Sequence, residues 1–327
     1  MASRVKRTLA KLLFPFSVLG TAIGGITILK DYMGGVHYQG EERIAGKTAI
    51  ITGANSGIGK AIATGLADRG ARVIMACRDF DRCEEAKKEI IEETANRNVC
   101  CQRLDLASIA SITAFAEMIN KYEPHVDILI NNAGVMMCPK ALTQDGFEQQ
   151  FGVNYLGHFL LTVLLMDKMK KSAPSRILNI CSYAFRDGVM NWTDLNSAKT
   201  YDNKAAFCQS QLAKVLFTVE LEKQLKGTGV TANAVYPGLV RTNITSHLSI
   251  NKSYISSFFL GPLQWIMMKN PVQGAQTPIY CSVNKDIEEV SGKFFRNCQE
   301  SPLPSNVINP EDAKRLWLVS EKWMRLT

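Results

Sequence analysis

The chain has 327 residues, enough for one large α/β domain or two small ones, and its 46% hydrophobic and 21% charged content is that of a globular protein with a full core. The formal charge of +8 is partly terminal, because Arg4, Lys6, Arg7 and Lys11 all precede the first acidic residue, Asp31. No aromatic-interleaved basic stripe and no helix-turn-helix pattern accompanies it, which argues against a nucleic-acid partner; the excess suits a membrane surface or a phosphate-bearing cofactor.

The first element is hydrophobic. Leu12–Leu29, LLFPFSVLGTAIGGITIL, is an uncharged run of 18 residues, just long enough to span a bilayer. Pro15, Gly20, Gly24 and Gly25 would weaken a helix in water but are tolerated in membranes. We read residues 1–33 as a basic terminus with a retained membrane anchor. A mitochondrial targeting segment is the competing reading, since the first eleven residues are basic, hydroxylated and free of acids. A cleaved signal peptide fits less well, because no small-residue cleavage site precedes Lys30.

After a polar linker, 34–46, strand-like and helix-like segments alternate. TAIITG ends a strand at Gly53, and a helix starts near Gly57. A strand follows at 71–78, then a charged helix from Asp81. Another strand at 99–106 precedes a helix from Ser108 to about Tyr122. The strand at 126–134 leads to a long helix from Gly146 into the 160s, and the strand at 176–182 to a helix from Ala205 to Leu225. That last helix reads as amphipathic, with Phe207, Leu212, Val215, Leu216, Val219 and Leu225 turned inward. Strands at 230–238 and 292–297 close the series. Nearly continuous apolar strands alternating with helices imply an α/β fold, a doubly wound parallel sheet with helices on both faces. No internal repeat or linker divides residues 47–300, which we read as one domain; 301–327 is expected to be a tail with a short helix. The less regular stretch 239–270, with Phe258, Phe259, Leu260, Trp265, Ile266 and Met267, is read as an apolar flap over a site.

Nine cysteines are scattered without paired spacing, several inside apolar runs (Cys77, Cys181, Cys281), and are expected to be reduced, buried thiols. His37, His125, His158 and His247 have no metal-ligand spacing, so no metal site is expected.

TGANSGIGK, Thr52 to Lys60, places glycines 53, 57 and 59 where a strand turns into a helix. Only glycine lets backbone approach a pyrophosphate there, and the helix amino end supplies free N–H groups and partial positive charge. At the end of the next strand stands uncharged Cys77, then Arg78, with Lys60 as a second cation. An acidic residue at that strand end would favour NAD, whereas arginine favours the 2′-phosphate of NADP(H).

Together TGANSGIG, LDLAS, NNAG, FGVNYLGHFLL, RILNICS and YPG resemble the short-chain dehydrogenase/reductase family, in particular its retinol dehydrogenase branch. The resemblance runs from the hydrophobic terminus to about residue 300. It implies a Rossmann-type domain, NADP(H), and a retinoid or similar lipophilic alcohol or carbonyl as substrate. It also implies a mitochondrial or endoplasmic reticulum membrane and a possible homodimer through the helices carrying Asn154 and Phe207. The cofactor would be held by Gly53, Asn55, Ser56, Gly57, Ile58, Gly59, Arg78, Asp105, Leu106, Asn132, Ala133, Gly134, Pro237 and Gly238.

Of the family's four chemical side chains, Ser182 matches the serine that polarises the substrate oxygen, and Asn154 the asparagine of the proton relay. The family reads A-Y-C-x-S-K-L-A where this sequence reads AFCQSQLA, so Phe207 stands at the proton-transfer tyrosine and Gln211 at the lysine that activates it. Phenylalanine has no proton to give and glutamine no charge, although an amide could still bond a ribose. Tyr183, Tyr201 and Tyr236 start no equivalent motif and are read as packing residues, with Cys208 as small filler. The expected function is therefore a retinol dehydrogenase-type oxidoreductase with strongly impaired turnover. The alternative is a non-catalytic NADP(H)-binding protein that binds a ligand, regulates or docks a partner.

Overall fold

The strands show no polar–apolar alternation because helices cover both faces of their sheet. All five residues of β1 (Thr48–Thr52), five of six in β2 (Arg72–Cys77) and all four of β4 (Ile128–Asn131) are buried. The computed structural model describes residues 21, 24–30, 32–241, 268–305 and 307–326. With β3 (Val99–Arg103), β5 (Ser175–Ile180), β6 (Val230–Tyr236), β7 (Phe294–Arg296) and β8 (Gln299–Ser301), they form a sheet in the order β3-β2-β1-β4-β5-β6-β7-β8. Every pairing is parallel except β7–β8. This is a Rossmann-type doubly wound sheet, and its strand order reverses between β1 and β4, where a crevice must open.

Helices α1 (Gly57–Asp68), α2 (Phe80–Thr94) and α6 (Pro271–Val283) pack one face, burying Ile62, Leu66, Ile90 and Ile279. Helices α3 (Ile109–Tyr122), α4 (Gly157–Lys171) and α5 (Asn203–Leu225) pack the other, burying Phe115, Phe159, Val215 and Leu216. The start signals are in the side chains. Asp79 accepts from Arg82 N ahead of α2, Ser108 from Ser111 N ahead of α3, and Asp202 from Ala205 N ahead of α5.

Three expectations need correction. First, α5 is not amphipathic: Ala206 through Thr218 are all buried, polar residues included. Sheet, cleft and α7 (Pro310–Trp323) enclose it between them, α7 being the short helix expected in the tail, packed on α4 and α5. Trp317 stands edge-on to Phe159 at 5.1 Å and stacks on Phe217 at 5.9 Å, while the Tyr155 and Ser320 hydroxyls are 2.7 Å apart. A second copy pairing through α4 and α5 would have to contend with this cover. Second, Cys83 on α2 and Cys101 on β3 are joined as a disulfide with 6.0 Å between Cα atoms, so the thiols are not all reduced. Their pairing follows from α2 packing on β3, which sequence spacing does not reveal. Cys77, Cys181 and Cys281 are free and buried as expected. Third, α6 was not anticipated, although Asn270-Pro271 with Gln273 forms a capping box.

Most of the hydrophobic run 12–29 lies outside the described residues. Residues 24–30 and 32–34 are helical, and among the described residues no helix is long and apolar enough to cross a membrane. The interior of the apolar stretch 239–270 also lies outside them. Its two ends meet: Arg241 N donates to Lys269 O at 2.9 Å and Lys269 N to Leu239 O at 2.7 Å.

Trp317 is 8% exposed. Trp317→Ala is expected to cost about 3–5 kcal/mol, seen as a lower thermal midpoint by circular dichroism. An unchanged midpoint would show that α7 lies outside the cooperative unit.

Candidate active site

β1 ends at Thr52, and the chain must turn sharply to begin α1. Gly53 makes that turn at φ +67°, and a Cβ added at Gly59 would sit 2.3 Å from Gly53 O and 2.6 Å from Asn132 Nδ2. Glycine at 59 thus lets α1 pack tightly on the strand ends, and the bare-backbone turn forms a cradle along the cleft. Opposite it, the Thr52 hydroxyl accepts from the N–H groups of Asn132 and Ala133, both at 2.9 Å, and Asn132 Nδ2 donates to Thr52 O at 2.9 Å. The ends of β1 and β4 are thereby locked at the reversal of strand order.

The result is a cleft of about 600 Å³ along the carboxyl ends of the strands. The structure brings every site residue named from the sequence into its lining: the 53–59 turn, Arg78, Asp105, Leu106, Asn132 to Gly134, Asn154, Ser182, Phe207, Gln211, Pro237 and Gly238. Lys60 is not among them, being paired with Glu89 on α2; Arg82, one turn into α2, lines the cleft beside Arg78. The ends of the 239–270 stretch contribute Leu239, Val240 and Met268, which make this rim apolar.

Asn154 sits in a π-helical turn, Gly152–Leu156, that leads into α4. Such turns cost regularity and mark places where a helix is bent for a purpose. Its Oδ1 accepts from Val135 N at 2.8 Å, and its Nδ2 donates to Val135 O and Ser210 Oγ, each at 2.9 Å. This side chain is fully spent on holding α4, α5 and the β4 loop together. The backbone carbonyl of Asn154 receives His158 Nδ1 at 2.9 Å, which places the ring proton on Nδ1. His158 Nε2 then accepts from the Thr52 hydroxyl at 2.9 Å. Burial holds the imidazole pKa well below its usual range, with the nearby Lys214 charge acting in the same direction, so His158 is neutral.

Ser182 follows β5, its Oγ accepting weakly from Ala184 N at 3.3 Å and keeping its own proton to donate. Phe207 is 4% exposed. Gln211 is tied to the frame: its Oε1 accepts from Ser182 N at 2.9 Å, and its Nε2 points to Ser210 Oγ at 3.4 Å. It is a strut between α5 and the end of β5.

Two further lining residues escaped the sequence reading. Tyr236 was read as packing; its ring lies 4.8 Å from that of Tyr183, and burial pushes its phenol up to about 12. Such a phenol donates a hydrogen bond but gives up its proton reluctantly. Tyr183 accepts from Arg296, and Tyr201 donates to Cys138 O at 2.7 Å, so both are committed. Lys214 is 2% exposed on the same α5 face as Gln211, three residues on; its Nζ donates to Asn131 O at 3.1 Å.

The short-chain dehydrogenase family model matches residues 47–253. Retinol dehydrogenase 13 of Mus musculus is 51% identical over 319 residues, covering 97% of this chain and 96% of that protein. The chain belongs to the short-chain dehydrogenase/reductase family, on its retinol dehydrogenase branch. Among solved structures, an uncharacterised protein from Mycobacterium Paratuberculosis is 33% identical with a TM-score of 0.69, over 87% of this chain and 95% of that one. A protein from Beutenbergia cavernae assigned as an NAD(P)-dependent gluconate 5-dehydrogenase, solved with NADP at low occupancy, is 26% identical with a TM-score of 0.63. That match covers 79% of this chain and 97% of the other. The Gly53–Gly59 turn, Ser182, Phe207 and Gln211 lie together in this cleft.

Gln211→Leu keeps the volume but strips the acceptor from Ser182 N–H. A loss of about 1–3 kcal/mol is expected, read as a lower denaturation midpoint. No change would show that water replaces the amide and that the strut is dispensable.

Proposed function

We propose that this protein binds NADP(H) and a lipophilic alcohol or carbonyl of the retinol/retinal kind in the described cleft, and that it interconverts them only slowly. The observation carrying this reading is the pair Phe207 and Gln211 on the cleft wall, one without a transferable proton and the other hydrogen-bonded to Ser182 N. The residues fit the dinucleotide. The Gly53–Gly59 cradle with the amino end of α1 suits a pyrophosphate, and Arg78 and Arg82 suit a 2′-phosphate. The NADP in the Beutenbergia cavernae relative supports the same choice.

When bound, NADPH would supply hydride to a carbonyl carbon. Ser182 Oγ–H would hold the carbonyl oxygen, and the apolar rim of Leu239, Val240 and Met268 would exclude water and favour a greasy substrate. The oxygen also needs a proton, and neither Phe207 nor Gln211 can deliver one. Missing acid–base assistance is worth about 10²- to 10⁴-fold. Phe207→Tyr combined with Gln211→Lys is therefore expected to raise the rate of retinal reduction at saturating NADPH by about that factor. A double variant no faster than the native chain would overturn the reading.

The uncharged run at 12–29 supports, as part of this proposal, residence on a mitochondrial or endoplasmic reticulum membrane. Full-length protein expressed in cells should stay with membranes in alkaline carbonate. Release into the supernatant would remove the anchor from the account.

A further inference from the structure

A lysine buried without a carboxylate calls for an explanation. Desolvating an ammonium costs several kcal/mol unless something compensates it. Lys214 is 2% exposed and has one hydrogen bond, to Asn131 O, which leaves two of its three N–H donors uncommitted. Among the described residues it forms no ion pair. As packing it is poor, since a methionine would fill the space at no electrostatic cost. Yet it is placed with care. It projects from the α5 face that carries Gln211, three residues earlier and so a neighbour on that surface. It reaches the carboxyl end of β4, and it forms part of the cleft wall together with Ser182, Phe207 and Gln211.

We propose that Lys214 is the working cation of this cleft, donating its spare N–H groups to dinucleotide oxygens at the β4–β5 end, so that the charge absent from position 211 enters from one turn further along α5. This rests on the NADP(H) reading above and goes beyond it by assigning a residue outside the family's motif. The role is positioning: Lys214 holds one end of the dinucleotide, while Arg78 and Arg82 face the other from beyond β2.

The surroundings make the idea measurable. Burial lowers the Lys214 pKa to about 8 in the free protein, with Cys181 opposing weakly. The titratable groups facing it are few. His158 on α4 is held neutral, and Cys181 after β5 is pushed up to about 12; Tyr236 on β6, also at about 12, lines the same cleft. β4 presents the Asn131 carbonyl. Asp79 and Asp105 line the cleft from the β2 and β3 ends. A ligand that accepts hydrogen bonds from the ammonium raises the pKa of Lys214 on binding. Affinity is then full below about pH 8 and falls as pH rises through and beyond that value, by up to tenfold per pH unit.

The test is NADPH titration of the full chain by fluorescence between pH 7 and 9.5, for the native protein, Lys214→Met and Lys214→Arg. The native protein should bind progressively more weakly above pH 8. Lys214→Met should bind about 10- to 100-fold more weakly at pH 7 with a flat pH profile, and Lys214→Arg should recover most of the affinity and also stay flat. The thermal midpoint of Lys214→Met should be unchanged or higher, since an uncompensated buried charge has gone. A native protein that binds NADPH with no pH dependence, or a Lys214→Met protein that binds as tightly as native, overturns the proposal while leaving the NADP(H) reading intact. A native protein that fails to bind NADPH at any pH overturns both.

Discussion

The hydroxyl of Thr52 ties together three parts of the chain at the point where the strand order reverses. It accepts from two successive N–H groups after β4 and donates to the buried, neutral His158, whose other nitrogen bonds the carbonyl of Asn154 in the π-turn. Asn154 in turn fastens Val135 and Ser210. Four elements are thus fixed by hydrogen bonds centred on the buried Thr52, His158, Asn154 and Ser210, where such bonds are strong and a missing partner is costly. The position of the α5 residues in the cleft follows from this network.

Within this frame the cleft wall carries a phenyl ring and a hydrogen-bonded amide. Gln211 spends its amide on Ser182 N, a bond no lysine could accept, and Phe207 fills the place of a phenol without its hydroxyl. The pair makes physical sense as a unit: without a phenol, a neighbouring ammonium has nothing to activate, and a neutral strut costs less to bury. Lys214 shows that the cleft has not given up positive charge altogether.

Much of the fold was legible in the sequence. Buried parallel strands announce themselves as continuous apolar runs, and glycines 53, 57 and 59 mark a turn with one compact solution. The candidate residues named from those motifs line one cleft because the motifs sit at strand ends. What escaped depends on distant partners. A lone lysine in a helix ordinarily reads as solvated, and only the packing of α5 against the end of β4 shows that Lys214 is inside. The Cys83–Cys101 pairing requires α2 to pack on β3, and Lys60 was lost to the β2-end cluster because Glu89 lies one helix away. Tyr236 reads as part of a turn until the sheet shows it facing the cleft.

The central claim is that the cleft binds its dinucleotide well and moves hydride poorly for want of a proton. Single-turnover mixing of the NADPH-loaded native chain with excess retinal, followed by loss of NADPH absorbance, addresses it directly. Ordinary enzymes turn over at about 10 per second, so losing acid–base help predicts a rate of about 0.001–0.1 per second. Consumption of the bound NADPH at about 10 per second or faster would contradict the account.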